Sequence, residues 1–95
     1  MNGYYMDIKK YITALGFIPK NGTSDVYHKV YSNHNNYVIT VDFSKGAIEY
    51  GDKIIAESKT TQNFSQSENF VVLECIDRLL SKGYKPQNII LEKTW

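Results

Sequence analysis

Residues 25–43 read DVYHKVYSNHNNYVITVDF. From Asp25 the side chains alternate, Val26, His28 and Val30 against Tyr27, Lys29 and Tyr31, which is the period of two of a β-strand. The asparagine-rich NHNN of residues 33–36 supplies a turn, and YVITVDF resumes the alternation with Tyr37, Ile39, Val41 and Phe43 on one face. Two alternating runs joined by a short polar turn predict an antiparallel pair at the centre of the chain.

Towards the C-terminus, Ser44 to Gly46 make a second turn before AIEY, residues 47–50, whose status as a true strand the residues leave open. Gly51 and Asp52 then have the two-residue spacing of a tight hairpin into KIIAES, giving three strands, or four if AIEY and KIIAES pair. After the polar KTTQNFSQS comes SENFVVLECIDRLLSKGY, where Phe70, Leu73, Ile76 and Leu80 mark one helical face and Val72 and Leu79 widen it. This helix begins near residue 66. Ser65 and Glu68 have capping-box spacing and Ser67 is a rival cap. Gly83 ends it, Tyr84 is placed to fold back on the last turn, Pro86 prevents extension, and NIILE predicts a final strand.

Towards the N-terminus, DIKKYITALGF predicts a helix from Asp7 to Leu15, with Asp7 as N-cap and Gly16 as its stop. IPKNGTS reads as a loop turning at Asn21 and Gly22. The order helix, antiparallel meander of three or four strands, helix, strand predicts an α+β fold of two layers in a single domain covering residues 1–95.

Eleven basic residues against ten acidic ones leave a formal charge of +1, so the chain lacks the global excess of a dedicated nucleic-acid binder and any DNA contact is local. One cysteine forms no internal disulfide, and the absence of a leader pattern or long apolar run predicts a soluble, cytoplasmic chain with no membrane partner.

Asp42 at a strand end and the Glu57, Ser58, Lys59 triplet are the residue types of a metal-dependent PD-(D/E)xK nuclease. In such enzymes two acids hold Mg and a lysine steadies charge on phosphate. That spacing also arises readily by chance, and Lys59 reads more readily as a solvated strand-end lysine. Double-stranded RNA-binding domains share the element order but open their second helix with a basic cluster, where this chain has SQSENF. His28 and His34 lack partners at metal-ligand spacing and read as strand and turn residues. Cys75 reads as a small, half-buried helix residue, and Glu74, Asp77 and Arg78 as a solvated helix face. Tyr27, Tyr31 and Tyr37 read more readily as cover for the second face of the sheet, and with Trp95 they make a candidate contact surface; no cofactor is expected in this domain unless the Mg-dependent reading holds.

The most specific block is TTQNFSQSENFVVLECIDRLLSKGYKPQNIILEKTW, residues 60–95. Through NFS at Asn63 to Ser65, ENFVVLEC at Glu68 to Cys75, RLL at Arg78 to Leu80, KGYKP at Lys82 to Pro86 and LEKTW at Leu91 to Trp95, it resembles a segment near the N-terminus of large bacterial restriction-modification proteins. These are type I restriction enzyme subunits or fused adenine-specific DNA methylases. VDFSKGAIEY, residues 41–50, is similar more loosely, and residues 1–40 carry only the generic pattern. The resemblance implies a polypeptide that runs on after Trp95 into a nuclease-like region with its own Asp and Glu-x-Lys, then into methylase or helicase parts. It implies for this chain a non-catalytic accessory role, with the following domain of the same polypeptide as partner. That partner would cover the final strand and Trp95. A stand-alone Mg-dependent nuclease using Asp42, Glu57 and Lys59, and a protein interaction module with no DNA role, are the alternatives.

Overall fold

The computed structural model describes residues 3–22, 25–56, 62–64 and 68–91. Helix α1 spans Gly3–Ala14, strand β1 Ile18–Pro19, β2 Val26–Tyr31, β3 Tyr37–Asp42, β4 Ala47–Glu49, β5 Ile55–Ala56, helix α2 Glu68–Ser81 and β6 Ile90–Leu91. Strands β1 to β4 form an antiparallel meander in sequence order, and β5 pairs in parallel with β6 in a separate ribbon. The α+β fold is the one that the alternating and helical periods predict.

The hairpin register sets which side of the sheet is covered. Tyr27 pairs with Val41, Lys29 with Ile39 and Tyr31 with Tyr37, and Val41 pairs onward with Ile48. These directly opposed residues share the face that packs on the helices. Ile39, Val41 and Ile48 are buried there with Ile8 and Ile12 of α1 and Phe70, Leu73, Ile76 and Leu80 of α2. On the other face Ile18, Val30 and Val38 are exposed.

Both helices end in the same motif. Phe17 N–H donates to Ile12 O and Gly16 N–H to Thr13 O, and the pattern recurs from Tyr84 to Leu79 and from Gly83 to Leu80. In each case a glycine past the helix end takes the left-handed conformation, φ +104° at Gly16 and +103° at Gly83, so that terminal carbonyls are satisfied. Phe17 buries its ring against the helix it terminates; Tyr84 keeps the backbone bond but leaves its side chain exposed, contrary to the expected fold-back.

Three further expectations are corrected, and the open status of AIEY is decided. Helix α1 starts four residues before Asp7, which is therefore an exposed position inside the helix and not its cap. Ile18–Pro19 is a short strand on β2, where Pro19 is tolerated because an edge strand has no outer partner needing its missing N–H. AIEY does pair, through Ala47–Glu49. The expected hairpin from AIEY into KIIAES does not form, because the Tyr37 hydroxyl holds the intervening chain as a loop. It donates to Tyr50 O and accepts from Lys53 N–H at 3.0 Å and Ile54 N–H at 3.1 Å. Gly51 sits under this clamp at φ +83°, where a Cβ would lie 2.6 Å from the Tyr37 hydroxyl. The proposed caps Ser65 and Ser67 lie outside the described residues.

Candidate functional site

Lys29 is the residue on which three elements converge. Its Nζ donates at 2.6 Å to Leu15 O, the terminal carbonyl region of α1, and at 2.6 Å to Asp77 Oδ1 on α2, and it lies 5.2 Å from the centre of the Tyr31 ring. Tyr31 Oη donates to the same Asp77 oxygen at 2.7 Å. Burial, reinforced by that hydrogen bond, pushes the Tyr31 phenol far above its ordinary range. At the far end of α2, Asn33 Nδ2 and His34 Nε2 lie 2.9 and 2.7 Å from Leu80 O, fastening the β2–β3 turn to the helix C-terminus. This arrangement holds elements together; its one carboxylate is consumed by a lysine and a phenol.

Asp77 therefore is not on a solvated face, as the helical pattern suggested, but buried with its partners. Glu74 and Arg78 do lie at the edge: Arg78 Nη2 is 2.5 Å from Glu74 Oε2, and Tyr11 of α1 donates to Glu74 Oε1. Burial and this carboxylate raise Tyr11 to about 12. The expected tyrosine surface is likewise displaced, because Tyr27, Tyr31 and Tyr37 belong to the covered face. Tyr31 and Tyr37 are buried, while Tyr27 is half-buried with its ring 5.8 Å from Phe43 in an edge-to-face contact. Trp95, the fourth member, lies outside the described residues.

Asp42 has a local occupation. Its Oδ1 accepts from Ser44 Oγ at 2.6 Å, Ser44 N–H at 2.9 Å and Lys45 N–H at 3.2 Å, closing the turn into β4. The Ser44 hydroxyl, with the backbone donors, holds this carboxyl below its ordinary value. Glu57 and Lys59 lie outside the described residues, and among the described residues no three His, Cys, Asp or Glu side chains come together as metal ligands.

The feature that sequence reading missed is an apolar groove of about 420 Å³ between α2 and β6, lined by Val71, Val72, Cys75, Ile76, Leu79, Ile89, Ile90 and Leu91. Cys75 is exposed in it, not half-buried. Val71 is 56% exposed, and Ile90 and its cross-strand partner Ile55 are 51% and 50% exposed. Water therefore meets aliphatic surface beside a parallel ribbon that is two residues deep among the described residues. Parallel strands are ordinarily covered on both faces. The available signal was Val71 and Cys75, which fall outside the core-facing stripe of α2 yet are not charged.

Compared with family models, with curated proteins and with solved structures, the chain matches none. Among the described residues, fold and surface define an α+β module with an apolar groove and a sheet face that carries exposed Ile18, Val30 and Val38. No helix among the described residues is long and apolar enough to cross a membrane.

Proposed function

We propose that this chain is a non-catalytic accessory module of a DNA restriction-modification enzyme. In this reading it packs against the polypeptide that follows Leu91 and helps to position a downstream nuclease or methylase region on DNA. The observation that carries the reading is the groove. All eight of its lining residues fall between Val71 and Leu91, inside the block of residues 60–95 that carries the resemblance. The strand that forms one wall, β6, leads directly into Glu92–Trp95. A segment resuming after Leu91 is already tethered at the groove mouth, and four residues reach up to about 13 Å, so docking incurs little further entropy.

The commitment of Asp42 to its turn supports a role without turnover, since a metal held by its Oδ1 competes with three donors already in place. The test is a magnesium titration followed by two-dimensional amide NMR, with linear duplex DNA added afterwards. Unshifted Asp42, Ser44 and Lys45 amides and uncut DNA are expected. Magnesium-dependent shifts there, with cleavage that disappears in Asp42→Ala, would make the chain a nuclease in its own right.

A further inference from the structure

A second concavity has the opposite character. It is a cleft of about 360 Å³ lined by Asn33, His34, Asn35, Lys53, Lys85, Pro86 and Gln87. The lining comes from three connections distant in sequence: the β2–β3 turn, the loop after β4 and the segment between α2 and β6. Two lysines, an imidazole and three carboxamides meet there, and no carboxylate lines the cleft among the described residues. Asp52 precedes Lys53 in the chain but does not line it. Neither Lys53 nor Lys85 forms an ion pair among the described residues, so two ammonium groups are available at one spot on a chain of net charge +1.

We infer that this cleft binds an oxyanion of the phosphate type, with Lys53 and Lys85 supplying charge and the carboxamides of Asn33, Asn35 and Gln87 supplying directed N–H donors, while the Nε2–H of His34 is already given to Leu80 O. Its walls are fixed in advance. Asn33 and His34 are tied to Leu80 O, the Lys53 N–H to the Tyr37 hydroxyl, and the Asn88 and Ile89 amides close the 3-10 turn behind Pro86. Asn35 at φ +59° and Asn36 at φ +61° bend the β2–β3 turn in the left-handed conformation that asparagine tolerates. An anion entering this cleft meets donors whose backbones are already ordered, which lowers the entropy cost of binding. Lysine in such a place acts as a compact charge, whereas a neutral carboxamide adds direction without repelling the ligand. The inference does not rest on the docking role proposed above, because the two concavities share no residue.

The test is an amide NMR titration of the whole chain with inorganic phosphate against sodium chloride of matched ionic strength, repeated with duplex DNA. Phosphate is expected to shift the Asn35, Asn36, Lys53 and Gln87 amides, and the double variant Lys53→Gln/Lys85→Gln is expected to weaken the apparent affinity at least about tenfold. Lys10→Gln, on α1 in a depression that shares no residue with the cleft, is the control and leaves the titration unchanged. If duplex DNA produces the same shifts, its backbone is the source of the phosphate, and each lysine removed lowers the slope of log affinity against log salt by about 1. If DNA is silent while phosphate binds, the ligand is a small phosphorylated molecule. Shifts that chloride reproduces, or that survive in the double variant, overturn the inference.

Discussion

The two faces of α2 differ in completeness. On the sheet side Phe70, Leu73, Ile76 and Leu80 are closed over, and Asp77 is matched to Lys29 and Tyr31. On the ribbon side Val71, Cys75 and Leu79 line the groove with Ile89, Ile90 and Leu91, and among the described residues Val71 and Cys75 remain exposed. One helix thus carries a finished interface and an open one. The sheet side specifies the fold, because Asp77, Lys29 and Tyr31 are satisfied together in one geometry. The ribbon side is non-directional apolar area, suited to receiving another segment.

The contrast can be broken most severely with Asp77→Ala, which strands the Lys29 ammonium and the Tyr31 hydroxyl in the interior. Urea denaturation should show a loss of about 3 kcal/mol. A loss under about 1 kcal/mol would mean that the network is incidental. Gly51→Ala should cost about 2 kcal/mol, since it adds a Cβ against the Tyr37 hydroxyl at a left-handed φ. An unchanged melting temperature would show that the clamp yields.

Raising the pH attacks the same side. Tyr11 has a folded pKa of about 12 against 10.0 for an ordinary tyrosine, so the phenol it keeps neutral contributes stability that is complete below pH 10 and is lost as the pH rises through about 12. Tyr31 and Tyr50, pushed higher still, act in the same direction. Stability measured by urea from pH 9 to 12 should fall, and Tyr11→Phe should remove its share of that slope; a flat profile would contradict the assignment. Tyr50→Phe sharpens the picture with the opposite sign. The Tyr50 hydroxyl is buried without a hydrogen-bond partner among the described residues, so deleting it should leave stability unchanged or raise it by up to about 1 kcal/mol. The smallest effect belongs to the open side: Val71→Glu should alter stability by no more than about 0.5 kcal/mol, although Val71 is only six positions from Asp77.

Periodicity made most of the fold legible. The meander, the core stripe of α2 and both glycine stops follow from spacing alone, because burial on one face leaves a repeat in the chain. The fate of residues 50–56 was not legible. Gly51 and Asp52 have hairpin spacing, and only the Tyr37 hydroxyl, thirteen residues from Tyr50, diverts the chain. Asp77 and the tyrosines were misplaced for a related reason. Polarity suggests exposure, and a partner such as Lys29, 48 residues away in sequence, leaves no local trace. The groove escaped because a single valine and a cysteine outside the helix stripe look like ordinary variation.

Docking of the segment after Leu91 can be read from Trp95, the one tryptophan, as its fluorescent reporter. If that segment seats in the groove, Trp95 emission is blue-shifted and poorly quenched by iodide in the unmodified chain. Val71→Glu should then shift it to the red and raise the quenching constant while far-UV circular dichroism stays the same. Emission typical of solvent-exposed indole, quenched equally in both folded chains, would contradict the account and leave the groove without the occupant assigned to it.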